Sequence, residues 1–150
     1  MKTRVAVTVM AVVVMATMTA AAQNRFFSSL ETHRSTDLGK IACKYTNCLK
    51  SGNVGVIESA LAHVVRMKMY VPELECPGLR QEISSLSVAG PNASVRYKAF
   101  LASLVFDTPG MFKEEAVREF DTPEELFNSV ALRLQIALLG TPNTKYVRPE

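Results

Sequence analysis

The chain has 150 residues, 48% hydrophobic and 21% charged, with a formal net charge of +3 and no tryptophan. A charge this small excludes a strongly basic nucleic-acid binder and a disordered polyelectrolyte, and the length excludes a multidomain enzyme.

The first residues inflate those totals. Lys2 and Arg4 precede an apolar run over residues 5–18, broken only by Thr8 and Thr17, and Ala20-Ala21-Ala22 supplies small residues for cleavage. This three-part layout predicts a secretory leader over 1–22, too short and wrongly flanked for a membrane span. Its removal leaves 128 residues, about 44% apolar, with a net charge of +1 because Lys2 and Arg4 depart. That composition suits a single globular domain over 23–140. The expected location is the periplasm or the cell exterior, with no membrane span after cleavage. No cysteine directly follows the apolar run, so no lipid anchor is expected.

Residues 23–36 are polar around one apolar knot, Phe26, Phe27 and Leu30, and read as a short helix or an arm. Over 37–50, Leu38, Ile41, Ala42, Tyr45 and Leu49 recur at helical spacing before Ser51-Gly52. Asn53 then caps a longer helix over 54–71, stopped by Pro72, with Ile57, Ala60, Leu61, Val64, Val65, Met67 and Val71 on one side. Pro77-Gly78 opens a shorter helix through Ser87, and Gly90-Pro91-Asn92 breaks the chain again. The segment 93–106 is apolar nearly all round, with a wedge at Arg96 and Ser103 and with Lys98 interrupting the opposite side. Such a helix is sandwiched between neighbours, so it is expected at the centre of the fold.

Phe-Asp-Thr-Pro occurs at 106–109 and again at 120–123, each time as a helix end, a cap and a proline that starts the next helix. Thr122 with Glu125 forms a capping-box pattern for a final helix running to Leu139 and closed by Gly140. Residues 141–150 read as a polar tail. No segment alternates with period two, so the expected fold class is all-α: about six short helices in antiparallel pairs.

In an oxidising compartment, three cysteines allow at most one internal bridge, with one thiol left over. Cys43 and Cys48 on one helix lie about 8 Å apart and about 140° around its axis, too far to bridge each other. Cys48 flanks the apolar stripe and Cys43 points away. A Cys48–Cys76 bridge with Cys43 free is therefore expected, beside the alternative of three unpaired thiols.

The segment 56–61 (Val-Ile-Glu-Ser-Ala-Leu) shares a pattern with 95–100 (Val-Arg-Tyr-Lys-Ala-Phe) at an offset of 39 residues, near the period of two-helix HEAT-type units. Over 49–61 and 95–102 the chain resembles small exported bacterial proteins with HEAT-like helical repeats and no assigned activity. That resemblance covers roughly 37–109 and rests on apolar patterning. It implies a two-unit solenoid used as a protein-interaction scaffold; the alternative is a compact helical bundle whose self-similarity is accidental.

Candidate chemistry is thin. Cys43, Cys48, Cys76, His33 and His63 lack the paired spacing of a structural zinc site. Met67 and Met69 with His63 form a weak copper pattern, in which Met67 edges the buried face and Met69 is expected to be exposed. His63 and Cys76 have no third group to orient the imidazole. Glu114, Glu115 and Glu119 share a predicted helix with Lys113 and Arg118 and read as a solvated face. Asn92-Ala93-Ser94 matches a glycosylation sequon but reads better as a helix N-cap. No enzyme activity, metal or other cofactor is expected.

The final helix carries the most informative surface feature. Leu126, Val130, Leu134, Ala137 and Leu138 suffice to dock it, yet Leu132, Ile136 and Leu139 form a second stripe. That stripe needs a cover: the knot at Phe26-Phe27-Leu30, the tail at Tyr146 and Val147, or a partner chain. The functional expectation is an exported, non-enzymatic helical-repeat protein that binds an unknown protein partner or itself. The alternative is a periplasmic carrier of a small ligand or metal.

Overall fold

The computed structural model describes residues 35–140. The leader, the knot at Phe26-Phe27-Leu30, His33 and the tail with Tyr146 and Val147 lie outside the described residues. Every regular element among the described residues is helical. In order these are α1 (Ser35–Leu49), α2 (Val54–Tyr70), α3 (Pro77–Ala89) and α4 (Ala93–Asp107), then a 3-10 turn (Pro109–Phe112), the one-turn α5 (Lys113–Ala116) and α6 (Pro123–Leu139). The all-α expectation holds, with the long helices' bounds within two residues of those read from spacing.

Local chemistry explains the boundaries. The Asn53 side chain accepts from the backbone N–H groups of Gly55 at 2.9 Å and Val56 at 3.3 Å. Asn92 accepts from Val95 at 2.8 Å, which commits its side chain to the start of α4. Thr122 Oγ accepts from the Glu125 N–H at 3.2 Å, while Glu125 Oε2 accepts from the Asp121 N–H at 2.9 Å. Each cap satisfies amide groups that a helix start otherwise strands. At the other end Gly140 takes φ +71°, a left-handed conformation that favours glycine and ends α6.

The helices form a compact bundle. Hairpin α1–α2 lies beside hairpin α3–α4, so α1 packs on α3 and α2 on α4. Helix α6 then crosses onto both α2 and α4, and the 3-10 turn touches α2, α4, α5 and α6. The centre is α2 rather than the expected 93–106 helix. Nine residues of α2 are buried against seven of α4, because α2 has neighbours on more sides while α4 leaves Tyr97 and Phe100 in solvent. Met69, expected to be exposed, is buried for the same reason. The two segments of shared pattern agree in burial only at Ala60 and Ala99: Leu61 is buried where Phe100 is exposed, and Val56 is exposed where Val95 is buried.

The charged stretch 113–119 also departs from expectation. Its helix ends at Ala116, and Glu115 is buried, with Oε2 lacking a hydrogen-bond partner. Arg66 reaches from α2 to donate to the Glu115 carbonyl at 2.9 Å, and the guanidinium groups of Arg66 and Arg118 both lie over the Phe120 ring. A one-turn helix held between larger neighbours cannot turn all its charges to water.

The disulfide joins Cys43 to Cys76, with Cα atoms 5.7 Å apart, and Cys48 is the free thiol. This corrects the expected Cys48–Cys76 pairing. A Cys48–Cys76 bridge requires Cys76 to arrive at the buried side of α1. Instead the 71–76 segment runs along its flank, where Val71, Glu73, Leu74 and Glu75 share a groove of about 640 Å³ with Gly39, Lys40 and Cys43. Buried Lys68 sets that path, its ammonium donating to the carbonyls of Pro72 at 2.6 Å and Leu74 at 2.9 Å. Cys48 turns toward the start of α2, beside Tyr45, Asn53, Val56, Ser59 and Ala60.

Candidate interaction surface

Helix α6 is anchored at its N-terminal half. Leu126, Phe127 and Val130 are buried, Leu134 packs partly buried against the core, and Arg133 donates to the Met111 carbonyl at 3.1 Å and to Glu114 at 2.9 Å. Beyond these anchors the last turn stands out from the body. Leu132 is 55% exposed, Leu138 82% and Leu139 77%, while Ile136 is half-buried. Leu132 and Leu139 of the predicted stripe therefore lie at the surface, with Ile136 partly covered between them. Ala137 and Leu138, expected to help dock the helix, are exposed instead, since α6 outruns the turn and helix that support Arg133.

A second apolar surface escaped the sequence reading. Tyr97 and Phe100, three residues apart on α4, are 54% and 50% exposed. The signal was available in part, because the polar wedge of Arg96 and Ser103 marks the same outward side. Tyr97 and Phe100 sit next to that wedge on a segment that is apolar nearly all round, so apolar content alone does not mark them as exposed.

Lys98 fixes how α4 and α6 meet. Almost fully buried, it donates to Glu58 Oε2 at 2.9 Å and to Glu124 Oε1 at 3.1 Å, while Ser94 Oγ donates to Glu58 Oε1 at 2.6 Å. Its ammonium also sits 5.9 Å from the centre of the Phe127 ring. One cation thus links α2, α4 and the first turn of α6. Burial pushes Glu58 upward, but hydrogen bonds from Ser94 and Lys98, with the Lys98 charge, hold its carboxyl below the ordinary value. Glu124 is lowered first by its hydrogen bond from Lys98, and Lys98 itself is raised because its two carboxylates outweigh its burial.

These directions give the pH dependence. Carboxylates with lowered folded pKa contribute stability that is present above their unfolded value, about 4.3, and is lost as pH falls through the folded one. The raised lysine contributes below its unfolded value, about 10.4, and loses that contribution as pH rises through the folded one. Between these limits the cluster contributes fully. Thermal melts of the native chain should therefore fall more steeply on acidification from neutral pH to about pH 3 than melts of Lys98→Met, in which the carboxylates have lost their cation. Equal slopes would show that the cluster does not carry the acid response.

Of the other polar groups among the described residues, one aromatic pair lies beside the free thiol. Tyr45 and His63 have ring centroids 5.7 Å apart; burial lowers His63 toward the neutral imidazole and, with nearby Cys48, raises Tyr45. The bridge removes Cys43 and Cys76 from any set of metal ligands or nucleophiles. Among the described residues, no three His, Cys, Asp or Glu side chains are grouped to hold a metal ion, and no helix is long and apolar enough to cross a membrane. Comparisons with protein-family models, with curated proteins and with solved structures give no match to this chain.

Proposed function

We propose that this chain is an exported, non-enzymatic protein-interaction module that binds a partner through the α6 stripe of Leu132, Ile136 and Leu139. The observation that carries this reading is the exposure of Leu132 and Leu139 on a helix whose opposite side is already docked. Large apolar side chains held together at a surface gain from being covered, and a helix presenting them at spacings of four and three suits a helix-in-groove contact. Export is supported by the leader pattern in the sequence, and an internal disulfide suits an oxidising compartment.

Leu132→Glu combined with Leu139→Glu tests the reading without touching the buried side of α6. The variant should keep the helical circular dichroism and melting temperature of the native chain and lose the partners captured from the periplasm of its natural host. Retention of the same partners would remove the stripe as the binding site.

A further inference from the structure

The partner that this stripe fits best is another copy of itself: we propose that α6 pairs with α6 of a second copy, antiparallel, about a twofold axis beside Ile136. The inference rests on the proposed reading of the stripe as a binding surface and names its occupant.

Three features argue for it. The first is spacing. Leu132 lies four residues before Ile136 and Leu139 three residues after it. An antiparallel pair whose axis passes beside Ile136, midway between 132 and 139, therefore sets Leu132 of each copy against Leu139 of the other, as an isologous contact requires. Steps of four and three are also those of a helix–helix seam.

The second is charge. Exposed Asn128 and Gln135 flank the seam on one side and are neutral. On the other side Arg133 is already paired with Glu114 within its own copy. Two copies thus approach without opposing unpaired like charges. Orientation follows from Glu125, which lies seven residues before Leu132 on the same side of the helix. A parallel pair would set Glu125 against its counterpart, whereas the antiparallel pair keeps the two far apart, with each accepting from its own Asp121 N–H. Opposed helix dipoles favour the same orientation.

The third is area. The exposed parts of Leu132, Ile136 and Leu139 offer on the order of 300 Å² per copy, below the ~800 Å² per partner of a stable complex. The dimer should therefore be transient, with a Kd in the micromolar range or above, roughly 1 μM or weaker.

Sedimentation equilibrium of the full chain over a concentration series reads the association directly. The native chain should pass from monomer to dimer, and Leu132→Lys or Leu139→Glu alone should raise Kd about 100-fold. Placed in one chain, the two substitutions face each other across the axis and should restore dimerisation to within about tenfold of native. Ile136→Cys in a Cys48→Ser background should form a disulfide-linked dimer on oxidation. A chain that stays monomeric at millimolar concentration, or single variants that dissociate without rescue by the combination, overturns the pairing. Dimerisation that appears only after residues 141–150 are removed also overturns it, by showing that the tail takes the seam in the intact chain. If a different protein is captured through the stripe while the native chain is monomeric, this inference fails and the proposed function stands. Capture that ignores the stripe, beside a dimer that depends on it, reverses that outcome.

Discussion

Phe112→Ala is expected to lower the unfolding free energy by about 3–5 kcal/mol, the usual cost of removing a fully buried aromatic side chain. Phe112 is wholly inaccessible and heads the largest fully buried side chains of the core. It closes a four-residue 3-10 turn, and that turn contacts α2, α4, α5 and α6. Pro109 opens the turn with its φ preset, and the Met111 N–H donates to the Thr108 carbonyl at 3.0 Å. The backbone is thereby held so tightly that neighbours cannot simply slide into the vacated space, which places the cost toward the upper end. Domains of this size have total stabilities of about 5–15 kcal/mol, so the variant should melt well below the native chain or fail to fold at all. Urea denaturation followed by circular dichroism measures the effect, with Val117→Ala at a surface position as the control. A loss below about 1 kcal/mol would show that the turn is not a plug of the core.

Cys43→Ser combined with Cys76→Ser is the second large effect. The bridge spans 33 residues of sequence, and closing a loop of that length in the unfolded chain is worth about 3–4 kcal/mol in the chain-entropy account. Reductant should produce the same loss in the native chain, whereas Cys48→Ser should leave the melting temperature nearly unchanged. That contrast also tests connectivity, since a Cys48–Cys76 bridge would make Cys48→Ser costly. Amide exchange should show α1 loosening first. The 71–76 segment keeps the two carbonyl contacts of Lys68 after the bridge is gone, but α1 loses its covalent tie to the start of α3.

Helix positions were legible because their determinants are local. Asn53, Asn92 and Thr122 cap, Pro72 and Gly140 stop, and the apolar period sets which side is buried. The exposure of Leu132 and Leu139 was readable for the same reason, as a second stripe opposite a sufficient first one. What resisted reading depends on distant contacts. Lys98 was visible as a charge breaking an apolar side, which demands partners when buried, but nothing near it names Glu58 or Glu124, 40 and 26 residues away. The bridge was misassigned because the path of the 71–76 segment follows the two carbonyls that Lys68 holds, Pro72 and Leu74, and spacing, which places Lys68 on the apolar side of α2, does not name those partners. Helix α5 and the burial of Glu115 follow from how tightly the 3-10 turn is held, which no periodicity encodes. For α6, spacing told which side faces the core but not where along its length the supporting elements end.

The bridge between α1 and the start of α3 has one more consequence, for how the chain withstands proteolysis. It closes a covalent ring around the end of α1, all of α2 and both connecting loops. A single cut anywhere between residues 44 and 75 therefore severs no part of the molecule. Both pieces remain tethered, and α2, the most deeply packed helix, is retained with them. Nicked and intact forms would co-migrate until a reductant is added. The exposed turn at Gly52 and Asn53 is thus a place where this protein can be clipped without being taken apart.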